Sequence, residues 1–297
     1  MEVVKNNIAG IIPIAGQRKD FNLDWHDCMM PIGPDYLAVE RAVFECAYAG
    51  CASIWIVCND DIAPLLRRRI KDFILDPIYQ DIKFSRRRFF LKDVKNQRLI
   101  PIFYVPIHPK FRDKVDGLPF SIVQGAMYAT KVAKRISEAS TPTMFYVAFP
   151  FGAYEATFIR SLRKEMAKNK TVMACYNGES VKTGSYLGFS FRPEKVKEFF
   201  HKIKEGARKT ERNEDGELVT LPKHKQFRAR FFTLQNIFDD YETDIQKNIR
   251  WYHGIHCWHT YRRFLATDQN YYLNLKKPKF LRARHISEFK YKYQEDL

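Results

Sequence analysis

The sequence predicts an α/β fold, a mostly parallel sheet covered by helices on both faces. Three observations carry this expectation. The chain opens with an apolar run, a loop, a helix, a second β-branched run and a second helix, the order that builds parallel strands. Apolar positions recur at helical spacing in some segments and form short continuous runs in others. With 297 residues at 45% hydrophobic content, the chain also has the apolar surface for one large core.

Taken in order, residues 8–15 read as a buried strand entering a glycine turn, and 17–34 as a loop. "DYLAVERAVFECAYA" (35–49) predicts a helix, capped by Asp35 and ended by Gly50. "ASIWIVCN" (52–59) predicts a second strand and "DIAPLLRRRIKDFI" (61–74) a helix. Residues 98–107 predict a strand, 119–137 an amphipathic helix, 143–152 a strand and 155–169 a helix. "TVMACYN" and "SYLGFSFRP" read as a strand pair, and "EKVKEFFHKIKEG" (194–206) as a helix. Residues 206–226 read as a polar, mobile loop, and 226–249 as partly helical. Two units are expected: an α/β domain over 1–268 and a basic, aromatic C-terminal extension over 269–297.

Composition narrows the function. No apolar run approaches 18 residues, so no membrane span is expected. The start "MEVVKNN" lacks the plan of an export signal, and six cysteines without a C-x-x-C pair fit buried free thiols. A reduced, cytoplasmic setting follows as the expectation. The net charge of +16 points to a polyanionic partner: nucleic acid, nucleotide phosphates or an acidic protein surface. No G-x-S-x-G elbow or recognisable nucleophilic cysteine motif is present, so hydrolase chemistry is set aside.

Several stretches resemble the sugar-phosphate nucleotidyltransferases, Rossmann-like enzymes of the GT-A type. "IIPIAGQRKDFNLDWHDCMMPIG" is similar to their opening Pro-x-Ala-Gly signature and its loop. "AVERAVFECAYAGCASIWIVCN" resembles the helix and strand that follow, and "VQGAMYATKVA" the Gly-Ala helix start that contacts the base. "FYVAFPFG" stands where the family has a strand ending in a metal-binding Gly-Asp. "SYLGFSFRPEKVKEF" resembles a later strand and helix, and "IHCWHTYRRFLA" the closing Asp-x-Trp-x-x-Tyr region. The resemblance spans roughly residues 8 to 266. It implies a GT-A-type fold, a nucleoside triphosphate and a sugar phosphate as ligands, and Mg²⁺ bridging phosphate oxygens. On this alignment Ala15, Gly16 and Gln17 belong to the phosphate loop, and Gln124, Gly125 and Ala126 to the base site.

The chain departs from that pattern where the chemistry is concentrated. A family glycine becomes Arg18, the family arginine becomes Asp20 and the Pro-Lys lysine becomes Asp27. The strand-end Gly-Asp becomes Phe149-Pro150, and the last acidic position falls near His256. If the chain transfers nucleotides, Arg18 and Lys19 would hold phosphates, Asp27 would take a catalytic place, and Asp24, Asp27 and His256 would hold the metal. The competing expectation is a catalytically inactive relative that binds nucleic acid or protein, a divergence suited to a viral or mobile-element genome. Arg67, Arg68 and Arg69, Arg86, Arg87 and Arg88, and Lys276, Lys277 and Lys279 are its candidate phosphate contacts, with neighbouring aromatics for base stacking. The cluster His253, His256, Cys257 and His259 offers zinc-type ligands, or a buried aromatic and histidine packing unit.

Overall fold

A computed structural model describes residues 7–16, 21, 23, 25–78, 99–112, 117–206, 210–212, 218–220 and 232–275. Its centre is an eight-stranded sheet made of β1 (Ile8–Pro13), β2 (Ser53–Val57), β3 (Phe73–Leu75), β4 (Leu99–Val105), β5 (Met144–Val147), β6 (Val172–Cys175), β7 (Phe189–Phe191) and β8 (Ile245–Asn248). The spatial order is β8-β6-β7-β5-β1-β2-β4-β3. Strands β4, β2, β1 and β5 run parallel, as the sequence order predicts. Strand β7 is antiparallel to both β5 and β6, while β8 lies parallel to β6 and β3 closes the other edge antiparallel to β4. Since β5 and β6 both oppose β7, the C-terminal ends of six strands lie along one edge of the sheet. No described helix is long and apolar enough to cross a membrane.

Two glycines show how helices approach both faces. Side chains alternate along β1, so Gly10 and Ile11 face opposite ways. A Cβ on Gly10 would lie 2.8 Å from the Cys46 sulfur, on α1 (Ala38–Ala49). A Cβ on Gly125, in α3 (Leu118–Ile136), would lie 2.9 Å from Ile11 Cγ2 and 3.0 Å from Val57 Cγ2. Helix α1 therefore covers one face and α3 the other, each brought close by a missing side chain. Every residue of α1 is buried, because the 3-10 segment Ala156–Leu162 and α4 (Arg163–Ala167) pack over it. On the other face α3 packs against α5 (Lys195–Gly206).

Some expectations need correction. The α1 N-terminus is capped through Glu40, whose Oε2 accepts the Leu37 amide at 2.9 Å. Asp35 instead holds a turn at φ 54° and pairs with Arg69. The helix expected over 61–74 ends early, as α2 (Ala63–Ile70). Lys71 turns left-handed at φ 76°, its carbonyl accepts the Tyr104 hydroxyl at 2.8 Å, and the chain re-enters the sheet as β3. Helical spacing and a short buried strand are indistinguishable over Ile70, Phe73 and Ile74. The stretch 226–249 is helical in part, as expected, in the single turn α6 (Gln235–Phe238), while Ile245–Asn248 is strand β8. The polar stretch 206–226 contains a two-stranded hairpin, Thr210–Arg212 against Leu218–Thr220.

Asp244 ties β8 to β6. Its Oδ2 accepts the Thr171 amide at 2.7 Å, the Thr171 hydroxyl at 2.8 Å and Arg192 Nη2 at 2.8 Å. The Thr171 bonds, then Arg192 and Lys170, hold its carboxyl below the usual range despite some desolvation.

The deepest polar feature joins α1 to the end of β5. Arg41 and Glu45 are one turn apart and wholly buried, with Arg41 Nη1 on Glu45 Oε2 at 2.6 Å. Glu45 also accepts the hydroxyls of Tyr146, at 2.6 Å, and Tyr154, at 2.8 Å. Arg41 Nη2 donates to the Phe149 carbonyl, and the guanidinium lies 4.0 Å over the Tyr154 ring. Burial opposes the charge on Arg41, yet Tyr154 and Glu45 beside it make it more basic. Burial, reinforced by Glu45, pushes the Tyr146 hydroxyl far above its ordinary pKa.

Three outcomes follow. Glu45→Ala strands a buried guanidinium and is expected to cost about 3–5 kcal/mol in urea unfolding, or to abolish the soluble fold. A near-neutral Glu45→Ala would contradict the cluster. Gly125→Val forces α3 off β1 and should lower stability by about 1–3 kcal/mol in the same measurement; unchanged stability would show that the contact yields freely. Asp244 has a depressed folded pKa, so its contribution is present above the unfolded pKa and lost as the pH falls through the folded one. Asp244→Asn should therefore flatten the acid limb of a stability-against-pH curve, and an unchanged acid limb would refute this.

Candidate functional site

In open α/β sheets, ligands bind beyond the C-terminal ends of the strands. At the end of β1 the chain is fixed before it turns. The amides of Ile14 and Ala15 both donate to the Val57 carbonyl at 2.9 Å, and the Ala15 carbonyl accepts the Ser121 hydroxyl at 2.6 Å. Gly16 then takes φ 81°. The Ile14 and Ala15 amides are thus already bonded within the fold, so a phosphate at this loop would draw its backbone donors from residues further on. Gln17, Arg18, Lys19, Asp20 and Asp24 lie outside the described residues.

Asp27 is almost wholly buried in the 3-10 turn Asp27–Met29, which His26 caps by accepting the Cys28 amide on Nδ1 at 3.2 Å. Gln124, Gly125 and Ala126 are buried in α3. Gln124 Nε2 donates to the Pro106 carbonyl at 2.8 Å, and Gly125 packs against Ile11 and Val57. Gly125 thus lies against the face of the sheet, while Gln124 Oε1 is buried without a hydrogen-bond partner among the described residues.

Phe21, His26 and Pro31, after β1, come together with residues 256–261 at this edge. His26 lies against the Phe151 ring (6.2 Å between centroids), Phe151 against Tyr186 (5.4 Å), and Tyr186 against His256 (5.4 Å). Helix α7 (Trp258–Leu265) closes over the loop after β1: Trp258 Nε1 donates to the Phe21 carbonyl at 3.2 Å, and the Tyr261 hydroxyl to the Pro31 carbonyl at 2.6 Å. The histidines and thiol of 253–259 do not converge on a point. His253 Nε2 meets Gln269 Oε1 in α8 (Gln269–Leu275), Cys257 meets the Thr260 hydroxyl at 3.3 Å, and His259 is exposed. Among the described residues, no group of three or more His, Cys, Asp or Glu side chains is arranged to hold a metal.

A cleft of about 370 Å³ opens at the same edge, beyond β6 and β8. Tyr176, Glu179, Tyr186, Tyr252, His256 and Arg263 are among its walls. One wall is a tight turn, with Asn177 at φ 47° and Gly178 at φ 82°, closed by paired backbone bonds between Tyr176 and Glu179. The Tyr252 hydroxyl accepts the Tyr186 amide at 3.0 Å, and Glu179 accepts the Ser185 hydroxyl at 3.0 Å. Gly152 lets the Tyr252 ring approach, since a Cβ there would lie 2.8 Å from Cε2. Burial pushes the Tyr252 hydroxyl well above its ordinary pKa. Aromatic walls, a carboxylate and a guanidinium together suit a polar ring carrying an anionic group. Of the cleft residues the sequence singles out His256 and His253, which also lines the cleft. The others show no motif, although a tyrosine recurs at 176, 186 and 252.

The remaining sequence candidates are scattered. Arg67 pairs with Asp72, Arg69 with Asp35 and Glu40, and Arg68 is exposed. Arg86, Arg87, Arg88, Lys276, Lys277 and Lys279 lie outside the described residues. All six cysteines are free thiols, five of them buried, as expected. Burial raises the Cys28 and Cys46 thiols far above their usual range and Cys58 to about 12, which removes these three as nucleophiles.

No protein-family model matches the chain, and no curated protein matches it. Solved structures do. A putative glucose-1-phosphate thymidylyltransferase from Bacillus anthracis, in complex with a sucrose, matches over 90% of this chain and 95% of its own, with a TM-score of 0.50 at 10% identity. A UDP-glucose pyrophosphorylase complexed with UDP-glucose matches over 91% and 99%, with a TM-score of 0.48 at 13% identity. Rv0371c from Mycobacterium tuberculosis H37Rv matches over 88% and 98%, with a TM-score of 0.46 at 11% identity. What the chain shares with the Bacillus anthracis protein is the fold: a Rossmann-like α/β sheet flanked by helices.

Proposed function

We propose that this protein is a divergent nucleotidyltransferase-like protein that binds a nucleoside triphosphate near the loop after β1 and a phosphorylated sugar in the cleft, with little or no nucleotidyl transfer. The cleft carries this reading. It lies on the strand-end edge where such folds bind ligands, and its tyrosines, Glu179 and Arg263 match a sugar ring, its hydroxyls and a phosphate. Arg18 and Lys19 are assigned the triphosphate. The likeness of fold to a thymidylyltransferase supports the nucleotide half of the reading.

The second reading, an inactive relative, draws on a specific observation. Phosphoryl transfer depends on stabilising charge on the leaving pyrophosphate, usually through Mg²⁺. Phe149 and Pro150 stand where a strand-end carboxylate would contribute, and the Phe149 carbonyl is engaged by Arg41. The nucleic-acid reading has less behind it, because Arg67 and Arg69 are committed to ion pairs.

Two measurements test the proposal. In calorimetry, glucose 1-phosphate should bind, and Arg263→Ala should weaken it about tenfold or more, the loss of one charged hydrogen bond. Binding that ignores Arg263→Ala would place the sugar phosphate elsewhere. A coupled pyrophosphate-release assay over several sugar phosphates and all common triphosphates should show weak or no turnover. Robust turnover lost on Asp27→Ala would establish an active enzyme with a rebuilt site.

A further inference from the structure

The nucleotidyltransferase fold implies a divalent cation at the end of β5, and the residues here do not fit one. Pro150 carries no side-chain donor, and Phe149 and Phe151 are wholly buried apolar rings. The Phe149 carbonyl accepts Nη2 of Arg41. The carboxylate of that cluster, Glu45, has both oxygens engaged, Oε1 by Tyr146 and Oε2 by Arg41 and Tyr154. Space is closed as well: even a Cβ on Gly188 would lie 2.2 Å from Glu45 Oε1 and 2.5 Å from the Tyr146 hydroxyl. Mg²⁺ and Mn²⁺ require open oxygen donors in near-octahedral array. The guanidinium at this carbonyl adds repulsion toward any dication.

We propose that the end of β5 is closed to divalent cations by the Arg41–Glu45 cluster, and that phosphates bound along this edge are held without a metal. Arg263, which lines the cleft, is the cationic side chain that neutralises them instead. The second half rests on the proposed function; the first stands on the strand end alone. Such a site binds the free phosphate anion, whereas a metal-dependent one binds the metal complex.

The test has two arms on the unmodified protein. In the first, Mn²⁺ alone is titrated with the protein and free Mn²⁺ is read by room-temperature EPR. The expected signal equals that of buffer throughout; loss of one equivalent of signal overturns the proposal. In the second, binding of each of the four common nucleoside triphosphates and of glucose 1-phosphate is measured by calorimetry in Mg²⁺ and in EDTA. The expected affinities agree within about twofold. Binding that requires Mg²⁺ overturns the metal-free claim. If no probe binds in either buffer, the proposed function fails, and the Mn²⁺ arm still decides whether the strand end is closed.

Discussion

The ion pair between Arg41 and Glu45 is the constraint on which the rest of this edge depends. Two wholly buried charges are tolerable when they are paired and hydrogen-bonded; of the Arg41 nitrogens only Nε lacks a hydrogen-bond partner among the described residues. Here the partners come from separate parts of the chain: Tyr146 from β5, Phe149 from the turn beyond it and Tyr154 from the next segment. Satisfying the pair therefore fixes α1 against the strand end. It also fixes the position of Tyr154, whose ring lies against Tyr252 on the cleft wall, 6.1 Å between centroids. The buried cluster thereby reaches one wall of the cleft through the Tyr154–Tyr252 contact.

That dependence explains how the fold of a nucleotidyltransferase can be present while the strand-end chemistry differs. The parallel strands, the two close-packing glycines and helix α7 build the strand-end edge at which the cleft opens. At the one place where a carboxylate would face it, the chain has committed a carbonyl to a buried guanidinium. The cleft brings Tyr176, Tyr186, Tyr252, Glu179 and Arg263 together at the same edge. In this account, binding and turnover have been separated by a rearrangement of charge rather than by loss of the scaffold.

Much of the fold was legible in the sequence, because β-branched runs such as "SIWIV" and amphipathic runs such as 118–136 carry their period in plain view. Misreadings fell where short elements break the period. Strand β3 follows α2 through a single left-handed residue, Lys71, and β8 is four residues of polar alternation held by Asp244. The site was harder to read. Tyr176, Tyr186, Tyr252 and Arg263 are brought together by a tight turn and by the return of residues 252–263, and sequence spacing encodes neither. Glu45 and Arg41 look like an ordinary surface pair one turn apart; only their burial reveals their role.

The central claim is that this edge binds phosphates at a strand end that excludes metal. A crystal structure grown with Mn²⁺, a nucleoside triphosphate and glucose 1-phosphate, recorded with anomalous scattering from manganese, tests it most directly. The account predicts ligand density in the cleft or over the loop after β1, no manganese peak beside Phe149 or Glu45, and the Arg41–Glu45 pair intact. A manganese peak at the end of β5, with Arg41 displaced from the Phe149 carbonyl, would contradict it.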